Sequence, residues 1–454
     1  MWHSLPGAPV LLAAALVAAQ VPFEQAVGDL ASADPATRLR TVQMLKQAAY
    51  PDAAIPLASA ITDPQDKIQL EAIAAELNIF AAEGIVPKNR RGLAVDRHHS
   101  MSAESVFSAG PLAIGTRPVP VEVLTALRSG VYFEDPRVCM EAVYALGALG
   151  AEPGGGARDE LLRATGPDLA TLAGASNAAL RYTAVRVIGR LFARRAGDRP
   201  IETTVGDAVV VALNDNDRAV NVAAMQALGA MRYERGVQAL TVLFRYYGKG
   251  EPAEAALDAL ARIAHPSSAP LLATQLLSTN AALRGIAIEG LARLGDPATL
   301  ADIRAVLNRE RNAGVALAGA FALALLGDAS TDRVADSLTR PTLHEQAKQY
   351  LIELAPGRAS EFARHLLNPD ERIRLDVVDA LGLSGDSAAV PVVEPLTKDR
   401  DPGIARAAER AVARLRHAAD DRSRSSRSAL VHARARLAHS TAASGPKDAI
   451  WAEK

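Results

Sequence analysis

One short turn recurs along this chain and constrains its fold more than any other feature. It is spelled Asp34-Pro35, Asp63-Pro64, Asp135-Pro136 and Asp401-Pro402, with looser versions at Ser176-Asn177, Asp215-Asn216-Asp217, Thr279-Asn280 and Pro369-Asp370. Each opens an apolar-patterned run that closes on a shared phrase: Ala145-Leu146-Gly147, Val187-Ile188-Gly189, Ala227-Leu228-Gly229, Gly290-Leu291 and Ala380-Leu381-Gly382. A second turn often follows, as Gly295-Asp296-Pro297, Gly327-Asp328 or Gly385-Asp386. Asp, Asn, Ser or Thr caps the free N–H groups of a helix start, and Pro fits the first helical position because its nitrogen has no proton to satisfy. Gly after a helix adopts the left-handed conformation that ends it. In the second half the anchors stand about 28–35 residues apart, a solenoid period. Each unit therefore reads helix, turn, helix, turn, and one such pair buries its apolar faces only by stacking on its neighbours.

Composition agrees with closely packed helices. The chain is 49% hydrophobic but only 4% aromatic, with Ala, Leu and Val making up the difference. Ala favours helix and lets helix backbones approach, whereas sandwiches of strands want β-branched and aromatic residues. At 454 residues the chain exceeds one ordinary core, which a repeat array accommodates.

The phrase Asp135-Pro136-Arg137-Val138, continuing through Ala142, Ala145-Leu146-Gly147 and Leu149-Gly150, resembles the short HEAT-like repeat of the phycobilisome-lyase type. The run Leu283-Arg284, Ala287, Leu291, Leu294-Gly295-Asp296-Pro297 is similar to it. The resemblance covers most of 34–416 and implies an all-α fold, a right-handed α-solenoid of stacked antiparallel helix pairs, with roughly ten units. It also implies that the recurrent Asp and Arg residues (Arg38, Arg137, Arg181, Arg218, Arg284, Arg374) stack between repeats rather than do chemistry. Such repeats serve many functions. The lyase-type relatives imply one of them, an accessory role handling a cofactor or modification on a client protein.

Five segments follow. Residues 1–19 read as a signal peptide: Val10 to Ala19 is an apolar run too short to span a bilayer, and Val17 and Ala19 are small residues placed for cleavage before Gln20. That predicts a periplasmic or secreted bacterial protein, or a cytoplasmic one if the signal is not cleaved. N-terminal HEAT-like repeats fill 20–83, a loop-rich basic insert 84–120, the main solenoid 121–417, and a disordered Ser/Arg-biased tail 418–454. No later run predicts a transmembrane span.

Little in the sequence points to catalysis, and no enzyme activity is expected. The single cysteine, Cys139, lies in a helical run as core filler, and multi-Cys metal sites are absent. His98-His99 diverge on any helix, and His265, His344 and His365 are scattered. Only His344-Glu345 has the His-Glu form that deoxyhypusine hydroxylase, a HEAT-repeat enzyme, uses several times for its di-iron site. No metal or cofactor is expected. Both tryptophans, Trp2 and Trp451, are terminal and the net charge is −1, which argues against a base-flipping DNA enzyme or any nucleic-acid partner.

A surface for another protein is the remaining candidate. In stacked pairs the second helices line the concave side. With Val138, Leu180 and Val220 aligned, positions two and six residues later share one face. They read Met140, Tyr182, Val222 and then Tyr144, Arg186, Gln226. Tyr, Met and Arg are enriched at protein interfaces. This ridge is open either to a partner or to the insert and a neighbouring helix. Lys88, Arg90, Arg91 and Arg97 in the insert offer contacts to an acidic partner or the envelope, or solvate a loop.

Overall fold

The computed structural model describes residues 22–82, 102–151, 156–194 and 200–419. The export run at 1–19, the insert residues Lys88, Arg90, Arg91 and Arg97, and the tail from 420 onward lie outside the described residues.

Among the described residues the chain forms eleven stacked helix pairs. The inner layer consists of Pro35–Ala48, Asp66–Phe80, Pro136–Leu149, Ala178–Leu191, Arg218–Met231, Glu251–Ile263, Ala281–Leu294, Ala313–Leu325, His344–Leu354, Glu371–Leu383 and 402–419. Each inner helix packs against the next. The outer layer holds their partners, from Phe23–Leu30 to Val390–Val393, several running on into a 3-10 turn. The expected all-α solenoid of antiparallel helix pairs is therefore the architecture. No described helix is long and apolar enough to cross a membrane.

The turns behave as their spelling requires. Asp34, Asp135, Asn177, Asp217, Asn280, Asn312 and Asp370 each accept an amide of the first helical turn; each such cap stabilises its helix by ~1 kcal/mol. Asp63 is an exception. Its helix starts at Asp66 with Gln65 at the cap, and Asp63 receives the Arg38 guanidinium instead, at 2.6 and 3.1 Å. Glu251–Ile263 and His344–Leu354 begin at Gly250 and Leu343 without a side-chain cap.

An arginine in the first helical turn ties repeat to repeat. Arg181 donates to the Ala175 and Ser176 carbonyls of its own turn and to the Asp215 carboxylate of the next, at 2.6–3.0 Å. Arg38 and Arg284 do the same with Asp63 and Glu310. Arg374 makes the carbonyl half of the pattern, on Asn368 and Pro369. Arg137 and Arg218 depart from it: the first folds back on Asp135 and the second reaches Glu251 at 3.5 Å.

The glycine of the shared phrase sets the spacing of inner helices. A Cβ on Gly189 would stand 2.8 Å from the Ala227 Cβ, one on Gly229 2.9 Å from the Ala259 Cα, and one on Gly382 2.7 Å from the Ala411 Cβ. The leucine before that glycine points into the core between layers. Aligned on the helix caps, that column reads Leu45, Leu146, Ile188, Leu228, Ala261, Leu291, Leu354, Leu381 and Val412, all buried, with Leu323 half-buried and one charged member: Glu76, 0% exposed.

Candidate functional site

The insert is not all loop. Ser102 caps a short helix, Ala103–Ser108, followed by a 3-10 turn at Pro111–Ala113. The helix lies on the inner face of Pro136–Leu149, over part of the aromatic ridge that was expected to meet either a partner or the insert. Tyr144 is only 3% exposed and Val222 only 7%. Met140, Tyr182 and Arg186 are half-buried, and Gln226 alone is fully at the surface. The ridge exists as a row of side chains, but Tyr144 and Val222 are not surface residues. For Tyr144 the physical reason is the insert helix above it.

Arg186 organises this covered part. Its guanidinium carbon stands 5.1, 5.5 and 5.2 Å from the Phe107, Tyr144 and Tyr182 ring centres, and a cation over such rings is attracted by their quadrupoles. The same guanidinium pairs with Glu104 at 2.9 Å and donates to the Ser108 hydroxyl at 3.0 Å and the Tyr144 hydroxyl at 3.2 Å. Phe107 packs on Tyr144 with ring centres 5.3 Å apart. Arg190 donates to the Phe107 carbonyl and stands over the same ring at 4.8 Å. Burial raises the Tyr144 phenol above its ordinary pKa. Glu141 accepts the Ala103 amide at 2.7 Å, and burial raises its pKa too.

Beyond that helix the insert joins distant parts of the solenoid. Ile114 forms an antiparallel bridge with Ala81, with Ala82 donating to Ala113 at 2.8 Å and Gly115 to Phe80 at 2.7 Å. Arg414, 6% exposed and on the last inner helix, donates to the Pro111 and Ile114 carbonyls at 3.0 and 2.9 Å. One segment between the second and third pairs thus fastens the fourth pair and the eleventh.

The second half of the inner face closes on itself. Arg293 forms a two-pronged pair with Glu353 at 2.8 and 2.9 Å, reaching past the intervening helix, and also pairs with Glu289 at 3.1 Å. Tyr350 donates to Glu289 and stacks on Phe321 at 4.4 Å. Burial raises the Glu289 pKa. For Glu353 burial pushes the same way, but the Arg293 guanidinium outweighs it and holds the carboxylate below its ordinary value. Further along, Lys348 bridges Asp376 at 2.9 Å and Asp379 at 3.3 Å.

None of this assembles a nucleophile with its base. Cys139 is buried, and desolvation lifts its thiol to about 11, far from a reactive thiolate. His344 is spent on Asp376 and Glu345, and His265 caps a 3-10 turn. Among the described residues no group of three His, Cys, Asp or Glu side chains could hold a metal ion. Sequence reading missed Phe107, Glu104, Arg190 and Arg414. Glu104 and Phe107 carried a signal, an acidic and an aromatic residue behind a Ser cap in an otherwise loop-like stretch. Arg414 carried none.

No family model matches the chain, so the lyase-type expectation has no family match behind it, and no curated protein matches it either. Similar solved structures include an engineered protein, at 18% identity over 87% of this chain and 98% of that one, with a TM-score of 0.41. Kap95p binding RanGDP is similar at 16% identity over 87% and 50%, with a TM-score of 0.34. Kap121p is similar at 13% over 86% and 45%, with a TM-score of 0.37. The chain spans about half the length of these two Kap proteins.

Proposed function

We propose that this chain is a non-enzymatic protein-interaction scaffold whose inner face recognises short helical segments. One observation carries the reading: the inner face already holds such a segment, its own Ala103–Ser108 helix, by the means interfaces use. An aromatic anchor (Phe107) sits against tyrosine, an arginine lies over three rings, and that arginine pairs with Glu104. Buried aromatic and arginine anchors of this kind dominate binding energy at protein interfaces. A partner segment carrying an acidic and an aromatic residue one helical turn apart competes for the same place.

The test is affinity purification of the full chain beside Tyr182→Ala and Arg186→Ala variants, with circular dichroism to verify folding. Loss of a stoichiometric partner in both variants supports the reading, and unchanged capture by folded variants refutes the ridge. A station outside a bacterial cytoplasm belongs to the proposal and rests on the Val10 to Ala19 run. A mature N-terminus at Gln20 supports it, and a retained Met1 sinks it. Envelope contact through Lys88, Arg90, Arg91 and Arg97 is proposed on the charge of those residues and is read by anionic-vesicle sedimentation.

A further inference from the structure

Away from the insert, the inner face carries a recess of about 380 Å³. It arises from a missing side chain. The column that supplies Met140, Tyr182, Val222, Leu317 and Leu375 on other inner helices supplies Gly285 here. A Cβ at that position would meet only the Ala318 Cβ, at 3.9 Å, so the space is open. The facing wall, on Ala313–Leu325, begins with a second glycine, Gly314. Ile286 and Val315 give the recess apolar sides, while Glu289 and Gln346 supply its side-chain polarity together with the capping Asn312.

These polar groups present acceptors. Asn312 Oδ1 is committed to the Gly314 and Val315 amides. Gln346 uses its Nε2 to donate to the Tyr350 hydroxyl at 2.7 Å. Its Oε1 accepts from no described residue and lies 3.5 Å from where a Gly314 Cβ would stand. Glu289 is the only charged residue in the lining. It pairs with Arg293, whose side chain is 7% exposed, and accepts the Tyr350 hydroxyl, while Arg293 also pairs with Glu353, which stands 4.0 Å from Arg232 as well. Burial raises the Glu289 pKa, and a cationic head placed beside it favours the carboxylate form.

We propose that this recess receives one lysine or arginine side chain of a protein partner, its alkyl stem between Ile286 and Val315 and its charged head on Gln346 Oε1 and Glu289. The apolar sides suit an alkyl stem and the acceptors a donor at its end, and a charge-assisted hydrogen bond gives such a head its preference over a neutral one. The proposal rests on the scaffold reading for its partner, but not for the chemistry of the recess itself.

The experiment separates the two. Saturation-transfer NMR on the full chain uses N-acetyl-argininamide and N-acetyl-lysinamide as probes, with the citrulline and norleucine analogues as neutral controls. Gly285→Leu fills the recess where there is room for a side chain, and Glu289→Gln removes the charge while keeping the shape. Saturable signals from the two cationic amides, weakened about tenfold or more in both variants and absent with the controls, are expected. Equal signals from citrulline, or cationic binding unchanged in Gly285→Leu, overturn the proposal. If the amides bind as expected but no protein co-purifies with the wild type, the recess stands and the scaffold reading falls. If a partner is captured equally by wild type and Gly285→Leu, the scaffold stands and the partner-side role of the recess falls.

Discussion

Glu76 is the sharpest quantitative test of this packing. Both of its carboxyl oxygens are buried without a hydrogen-bond partner, in a column that other inner helices fill with apolar residues, mostly leucine. Burial alone raises its pKa well above the ordinary 4.5, so the core favours its neutral form. A buried polar group left unpaired costs about 1–3 kcal/mol, and a leucine there adds apolar burial at about 25 cal/mol per Å². Glu76→Leu should therefore stabilise the N-terminal pairs by about 2–4 kcal/mol. The sign of the pH dependence follows from linkage. The unfolded chain releases this proton near pH 4.5 while the folded chain keeps it, so stability falls as pH rises from there to the raised folded pKa. The slope for one proton is at most ~1.4 kcal/mol per pH unit. Glu76→Gln removes the slope while keeping the polar burial. Urea denaturation read by circular dichroism at about pH 5 and about pH 8 checks both effects, with hydrogen exchange in Asp66–Phe80 to localise them. A Glu76→Leu variant no more stable than wild type at the higher pH, beside a Glu76→Gln variant with the wild-type slope, would refute the account.

Two glycine substitutions should move stability in opposite directions. Gly189→Ala forces its Cβ to 2.8 Å from that of Ala227 and should cost about 1–3 kcal/mol by overpacking, whereas Gly285→Ala meets open space and should gain up to ~1 kcal/mol of helix propensity; urea midpoints decide. Burial opposes a charge on His344, but its hydrogen bonds to Asp376 and Glu345 prevail and raise its pKa above 6.5. Its contribution is therefore present below that value and lost as pH rises through the raised one, and His344→Gln in a Glu76→Gln background should flatten the remaining slope near neutral pH. Arg414→Ala deletes two hydrogen bonds from a buried guanidinium and should weaken the fastening of 402–419 by about 1–3 kcal/mol, seen as faster amide exchange there and a larger radius of gyration by X-ray scattering; unchanged values in both would remove the insert as a fastener.

What the sequence made legible was whatever the repeat spells locally. Caps at Asp34, Asp135, Asn177 and Asp217 and the close-packing glycines depend on neighbours along the chain or on the adjacent repeat, so a column of aligned residues reveals them. Asp63 looked like a cap because capping and pairing use the same carboxylate; only the register of Arg38 decides between them. The pairs opening at Gly250 and Leu343 escaped the turn pattern because neither start has a side-chain cap. The ridge was legible as a column but not in its exposure. Whether Tyr144 meets solvent depends on Phe107, some forty residues away across the insert, and no periodicity encodes that contact.

The two halves of the inner face are closed by different means, and the difference bears on where a partner can act. In the first half the closing element is an added segment, held by side chains (Arg186 and Arg190 on one inner helix, Arg414 on another) that reach it from two separate repeats. On the proposed reading its Ala103–Ser108 helix is exchanged for another of like chemistry while the arginine–carboxylate ties that join turn to turn, at Arg38, Arg181 and Arg284, stay in place. In the second half the closing groups belong to the repeats themselves. Arg293 and Tyr350 reach over a helix to their partners, so opening that region separates inner helices and strands buried charges, at a cost of several kcal/mol. On the proposed reading exchange is therefore concentrated at the insert, while the second half offers a fixed surface whose recess at Gly285 has room for a side chain without moving a helix.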